Sequence, residues 1–473
     1  MTMIRGILPG MILHRGTTAE NAAFTGLLSE VTVDTDLWSL RVHDGETVGG
    51  FQVTPTLSVK LFGAKGDGVT DDTEAIQAAM AYAVSVSGAT ILFPRGVYPC
   101  TEQIDLPANT LLIGEGRILS YMQFSHTGAG VKSTSPVNSS TAVRSGMRHI
   151  GIVGTNGSNT DGGFVDVCGT YINLYDVYVQ GFKHCIIFDQ TEISSIINCE
   201  LLITNTSGLN GIWLVNGDGD YAAATSQGFT NVITISGNQI NSNNTTGVSS
   251  ILDDGGSNHV IVGNNCNAGA VAIRMAGVSG IVQGNTCEGQ LTSDILLRSS
   301  KASGTYVGPC TGLTLSANAL SSNGCTQNIQ VTDAVNCLIT GNVMAQAVTA
   351  CINFDGGTNN QSSGVVIEGN AKSVRGSGKT AAPFIAGNAA VLAVQKSRQV
   401  AQTYVSLGLS AGARTVTPQS MEGISATNTI TCQNADGTNF ERVVVSAVTA
   451  TTFDATFASD KAVNWVIGGT AYI

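Results

Sequence analysis

The sequence predicts an all-β solenoid, a parallel β-helix, with a small β module before it and another after it. Three observations predict it. Glycine is abundant, at 57 of 473 residues, and only 12% of residues are charged. With many Asn, Ser, Thr, Val and Ile, that balance favours strands joined by tight turns. A strand ending in Gly-Asn recurs between about 145 and 375. The positions two places after those asparagines are apolar, as one inward-facing ladder requires.

Residues 1–55 read as a separate small module. Leu28 to Asp36 and Leu40 to Phe51 carry alternating apolar runs, with Asp44-Gly45 as a turn signal. The run Arg15-Gly16-Thr17-Thr18-Ala19-Glu20-Asn21 with those two stretches is similar to a segment common near the ends of phage tail fibres and spikes. That resemblance implies attachment to the phage tail or baseplate.

Residues 56–390 are assigned to the solenoid, with an entry segment over 56–120. Val59 to Phe62 is a short apolar strand, and Gly63-Ala64-Lys65-Gly66-Asp67-Gly68 a turn. Asp71 stands three residues before Glu74, a spacing that predicts a capped helix over 72–86. Ile76, Ala79, Met80 and Ala83 form its apolar face. Ala89 to Tyr98 and Leu111 to Gly116 follow as strands. In that order, FGAKGDGVTDDTEAIQAA, ILFPRGVY and LLIGEG resemble the entry segment of pectate-lyase-like right-handed parallel β-helix proteins, bacteriophage tailspikes in particular. The resemblance implies a polysaccharide depolymerase, a virion location and a homotrimer. An open solenoid end exposes strand edges, so helix 72–86 is expected to cap it. Asp67, Asp71, Asp72 and Glu74 are then structural, and their order does not fit an EF-hand loop.

In the repeat, Asn238, Asn264, Asn285, Asn318, Asn342 and Asn370 follow one another by 26, 21, 33, 24 and 28 residues. Ile240, Cys266, Cys287, Leu320 and Met344 form the apolar ladder, broken by Lys372, where the stack is expected to end. A second strand recurs about ten residues later, at Ile273, Ile295, Ile329 and Ile352, with Ile186 and Ile212 as earlier copies. Units of this size cannot bury an apolar side alone and must stack. Residues 391–473 read as a β-rich domain, best marked by Asn439 to Val445. The tailspike resemblance implies trimerisation or glycan binding for it.

Net charge is −11, and no basic run offers a phosphate-binding face, so nucleic acid is not an expected partner. The 11 cysteines show no metal-ligand spacing, and no metal or cofactor is expected. They are expected to be buried thiols of a protein made in the host cytoplasm. No apolar run reaches membrane-spanning length, and Met1 to Leu13 makes a poor signal peptide.

Irregular coil lengths locate the chemistry. From Ile212 to Ile251 is 39 residues and from Ile295 to Ile329 is 34, against 22 to 26 for most steps. Both insertions follow the second strand, so they should wall one side of the coil. The floor would be Ile251 to Asp254, Ile273-Arg274 and Leu297-Arg298. Carboxylates beside aromatic rings suit a bacterial surface polysaccharide, because paired acids hydrolyse glycosidic bonds. The candidate acids are Asp218, Asp220, Asp253 and Asp254, with Glu288 in reserve. Trp213, Tyr221, Arg274, Arg298 and Tyr306 are the candidate substrate-binding residues. A polysaccharide lyase, needing a base and a neutralising cation, and a non-catalytic receptor-binding fibre are the alternatives. Few basic residues on the floor disfavour the lyase.

Overall fold

The computed structural model describes residues 13–36, 39–53, 57–133, 144–157, 160–204, 209–215, 230–242, 247–302, 305–322, 325–345, 347–354, 362, 364–373, 385–387 and most positions between 402 and 468. The chain divides into two compact units, Met1–Leu57 and Ser58–Ile473.

The first unit holds a four-stranded sheet of His14–Gly16, Val31–Asp34, Ser39–Val42 and Phe51–Val53, with a short helix at Thr18–Ala23. Thr17 and Glu20 cap that helix reciprocally. Buried His43 accepts from the Gly26 amide at 3.1 Å and joins sheet to loop.

The second unit contains the predicted parallel β-helix, built from three stacked parallel sheets. The first runs from Thr90–Phe93 to Val366–Glu368. The second runs from Gly96–Cys100 to Ala371–Ser373 and the third from Ile104–Leu106 to Ile385–Gly387, with eleven strands each. The recurring Gly-Asn turns the chain from first to second sheet. Its glycine takes positive φ, 65° at Gly237, which a side chain would resist; Ala317 holds 54° in its place.

The following asparagines form a buried ladder. Asn238 Nδ2 donates to Asn264 Oδ1 at 2.9 Å, Asn264 to Asn285 at 2.9 Å and Asn285 to Asn318 at 3.0 Å; Asn318 and Asn342 continue to Asn370. Each Nδ2 also donates to a backbone carbonyl, so these inward amides are satisfied. The predicted ladder Ile240–Cys266–Cys287–Leu320–Met344–Lys372 pairs in register on the second sheet. On the third sheet Ile186, Ile212, Ile251, Ile273, Ile295, Ile329 and Ile352 stack with no exposure. The cysteines are thiols, all buried save half-buried Cys168.

The entry helix spans Thr73–Ser85, buries Ile76, Ala79, Met80 and Ala83, and packs on the first strand of the third sheet. The expected capping by Asp71 and Glu74 takes another form. Asp72 is the N-cap residue, yet its carboxylate is committed to the glycine-rich turn, accepting from Lys65 and Gly66 amides at 2.5 and 2.9 Å. Asp71 accepts instead from the Thr73 amide at 3.0 Å and the Thr101 hydroxyl at 2.8 Å.

Gln402–Val405 through Trp465–Gly468 form a six-stranded antiparallel sheet. Its core includes Ile430, Cys432, Phe453, Phe457 and Trp465. The strand expected at 439–445 spans Glu441–Val448, with residues 435–438 outside the described set.

Candidate functional site: a cleft on the third sheet

On the third sheet, alternation leaves Ile187, Trp213, Leu252, Arg274 and Leu296 in one register column, beside the buried isoleucines. A cleft of about 380 Å³ lies over this column. Its lining includes four of the residues singled out above, Trp213, Asp254, Arg274 and Arg298.

Trp213 is fixed on two sides. Its indole Nε1–H donates to Asp254 Oδ2 at 2.7 Å. Its ring lies 4.8 Å from the His184 ring, inclined by 34°. Asp254 Oδ1 pairs with the Arg298 guanidinium, their side chains being 6% and 14% exposed. Charge-assisted bonds of this kind hold a carboxylate in one orientation. His184 Nδ1 accepts from Asn210 Nδ2 at 3.1 Å. Burial, and secondly the Lys183 charge, lower the His184 pKa to about 3, so the ring is neutral in ordinary conditions.

The cleft extends further upstream than the two insertions suggested, to Thr160, Asp161, Lys183, Leu209 and Asn210. The Asp161 carbonyl accepts from the Lys183 and His184 amides at 3.1 and 3.3 Å, tying that edge together. Its carboxylate accepts from the Gly162 amide at 2.7 Å. Aligning His184-Cys185-Ile186 with Asn210-Gly211-Ile212 was the available signal, since both precede a ladder isoleucine by two places.

Two of the candidate acids, Asp253 and the reserve Glu288, lie outside the cleft lining. Asp253 pairs in register with inward Leu214 and has no exposure. It accepts from the Gly255 and Gly277 amides, both at 2.9 Å, and burial pushes its pKa up to about 7. The strand's alternation turns it inward, where it braces the bend carrying Asp254. Glu288 is exposed on the second sheet, beside Asn267, rather than in the cleft. Asp218, Asp220 and Tyr221 fall in 216–229, outside the described residues. Tyr306 stands on a hairpin of Ser300–Ala302 and Thr305–Gly308, whose side chains from 300 to 307 are also outside that set. The described residues before each segment, Val215 and Leu297, end strands of the third sheet. Among the described residues no group of three or more His, Cys, Asp or Glu could hold a metal ion, and no helix is long and apolar enough to cross a membrane.

Residues 56–271 match the rhamnogalacturonase A/epimerase, pectate lyase-like family model, and residues 12–47 match the major tropism determinant N-terminal domain. The tail fiber receptor-binding protein of Bordetella phage BPP-1 is 50% identical over 52 residues, 11% of this chain and 14% of that protein. The preneck appendage protein of Bacillus phage PZA is 41% identical over 68 residues, 14% of this chain and 7% of that protein. The chain thus covers only a small part of these curated relatives. Among solved structures, Geobacillus virus E2 ORF18 shares the fold, with TM-score 0.52 and 17% identity over 95% of this chain and 89% of that one. The phage-domain match lies in the first unit and the pectate-lyase-like match ends at residue 271.

Proposed function

We propose that this is a phage tail protein that binds a bacterial surface polysaccharide in the third-sheet cleft and cleaves it by glycosidic hydrolysis. One observation carries the reading. A partly exposed tryptophan, two carboxylates and three basic side chains converge in one open cleft on the β-helix. Indole gives a flat apolar face for a sugar ring. Asp254 supplies one carboxyl of the pair; Asp161, three coils away by register and so about 14 Å along the axis, is too distant to be the other. One carboxyl donates its proton to the glycosidic oxygen as the bond to the anomeric carbon breaks. The other, ionised, takes a proton from the attacking water or attacks that carbon itself. Asp254, paired with Arg298 and Trp213, suits the ionised role. Asp218 and Asp220, on the segment after the Trp213 strand, remain candidates for the acid.

The match over residues 12–47 supports attachment of the 1–55 module to the phage tail or baseplate. Solenoid 56–390 would then carry the cleft, and 391–473 would serve trimerisation or glycan binding in a homotrimeric spike. The test is incubation with a panel of capsular, exopolysaccharide and O-antigen glycans, sizing and weighing the products. Hydrolysis gives shortened chains, each cut adding one water. Unsaturated, absorbing products would assign a lyase instead, and binding without shortening a receptor-binding fibre.

A further inference from the structure

We infer that His184 sets the cleft's specificity by donating its Nε2–H to an uncharged oxygen of the glycan, a hydroxyl or a carbonyl, beside the sugar ring on Trp213. The inference rests on the cleft being the glycan site. His184 opens the strand His184–Asp189 and pairs in register with Asn210. Three neighbours fix the residue. Its backbone amide donates to the Asp161 carbonyl at 3.3 Å. Its ring packs on the Trp213 indole, with centroids 4.8 Å apart. Its Nδ1 accepts from Asn210 Nδ2 at 3.1 Å. The residue is only 4% exposed, yet it lines the cleft with Asn210 and Trp213. Among the described residues Nε2 has no hydrogen-bond partner, and it is not sealed from solvent.

The Asn210 contact decides which nitrogen carries the proton. A neutral imidazole whose Nδ1 accepts holds its hydrogen on Nε2. A proton arriving on Nδ1 would face the Asn210 N–H and break that bond, so the ring resists becoming imidazolium. Burial and the Lys183 charge act in the same direction. The ring therefore offers the cleft one neutral donor. With Nδ1 occupied it takes up no proton, and it is neither acid nor base for the reaction. Asp254 and Arg298 neutralise each other on the indole Nε1 side of Trp213, and Asp161 reaches the His184 amide through its carbonyl. Asp218 and Asp220 lie outside the described residues. Register places the His184 strand one coil before that of Trp213, roughly 4.8 Å along the axis. The accepting oxygen then belongs to the ring stacked on Trp213 or to its upstream neighbour. A nearly buried donor discriminates, because a ligand without that oxygen displaces water and leaves the N–H unpaired.

Calorimetric titration of the full chain with the panel of capsular, exopolysaccharide and O-antigen glycans tests the donor. On the members that bind, His184→Phe keeps a ring against Trp213 and removes the donor, so affinity should fall about tenfold. His184→Gln places an amide N–H near the position of Nε2 and should bind within about threefold of the native chain. An equal loss in both variants, or native affinity in His184→Phe, overturns the inference and leaves the cleft's function standing. The emission of Trp213, read as the difference from Trp213→Phe, tests the proton without any glycan. An imidazolium beside the indole would quench it. No step that depends on His184 should therefore appear near pH 6.5, about where an ordinary histidine titrates. A step there that His184→Gln abolishes overturns the inference, whether the ring titrates by itself or a carboxylate from 216–229 reaches it. Binding of no member, or binding indifferent to Trp213→Ala, overturns the proposed function itself.

Discussion

Replacing Asn285 with alanine tests how the coils are held in register. Asn285 has no exposure, and its side chain makes four hydrogen bonds. Nδ2 donates to Asn318 Oδ1 at 3.0 Å and to the Ile261 carbonyl at 2.9 Å. Oδ1 accepts from the Asn264 amide and from Asn264 Nδ2, both at 2.9 Å. At a net value of about 1 kcal/mol each, the loss is about 4 kcal/mol. Asn370, at the end of the ladder and only part-buried, is the internal comparison. Water can replace its partners, so Asn370→Ala should lose about 1–2 kcal/mol. Urea unfolding gives the totals. Hydrogen exchange at the Asn264 amide, which loses its acceptor, gives the local term as a protection drop of up to about a thousandfold. An Asn285→Ala loss equal to that of Asn370→Ala, or below about 1 kcal/mol, would refute a ladder that acts by satisfying buried amides.

Three further outcomes follow from the same geometry. Ala317→Gly should stabilise the chain by about 0.5–1 kcal/mol in thermal unfolding, because Ala317 holds φ of 54° where the other repeats use glycine. Asp253 has a folded-state pKa of about 7, above the unfolded value of about 3.9. The folded state therefore holds more protons between those values, and the stability from this group, complete below about pH 4, is lost as pH rises through 7. Asp253→Asn abolishes that loss, so the variant's deficit against the native protein should shrink from pH 4 to pH 7. A constant deficit in denaturant titrations would contradict the assignment. Asp72→Ala removes acceptors for the Lys65 and Gly66 amides and should cost about 2 kcal/mol, read by exchange at those amides.

Much of the fold was legible because a solenoid writes itself into sequence as a period. Gly-Asn marks a bend that needs a left-handed backbone and a buried amide. The ladder isoleucines mark one inward column. The site was legible where it touched those columns: Trp213, Arg274, Asp254 and Arg298 were placed by counting from Ile212, Ile273, Ile251 and Ile295. The count also had the means to reject Asp253, since Leu252 aligns with Trp213 and the next residue must turn inward. Lys183, His184 and Asp161 were not found, because they sit where strands begin, on coils of ordinary length with no insertion to draw attention to them. Of the entry acids, Asp67, Asp71 and Asp72 accept bonds within the turn and helix start, and Asp71 and Asp72 divide the work differently from a simple cap.

The central claim is that the third-sheet cleft processes a surface glycan. Its most direct test is the depolymerisation rate of one identified substrate with Trp213→Ala, Asp254→Asn and, on the second sheet, Glu288→Gln. The account predicts that both cleft variants lose at least a hundredfold while Glu288→Gln keeps the native rate. Full activity in Trp213→Ala and Asp254→Asn, or its loss in Glu288→Gln, would contradict it.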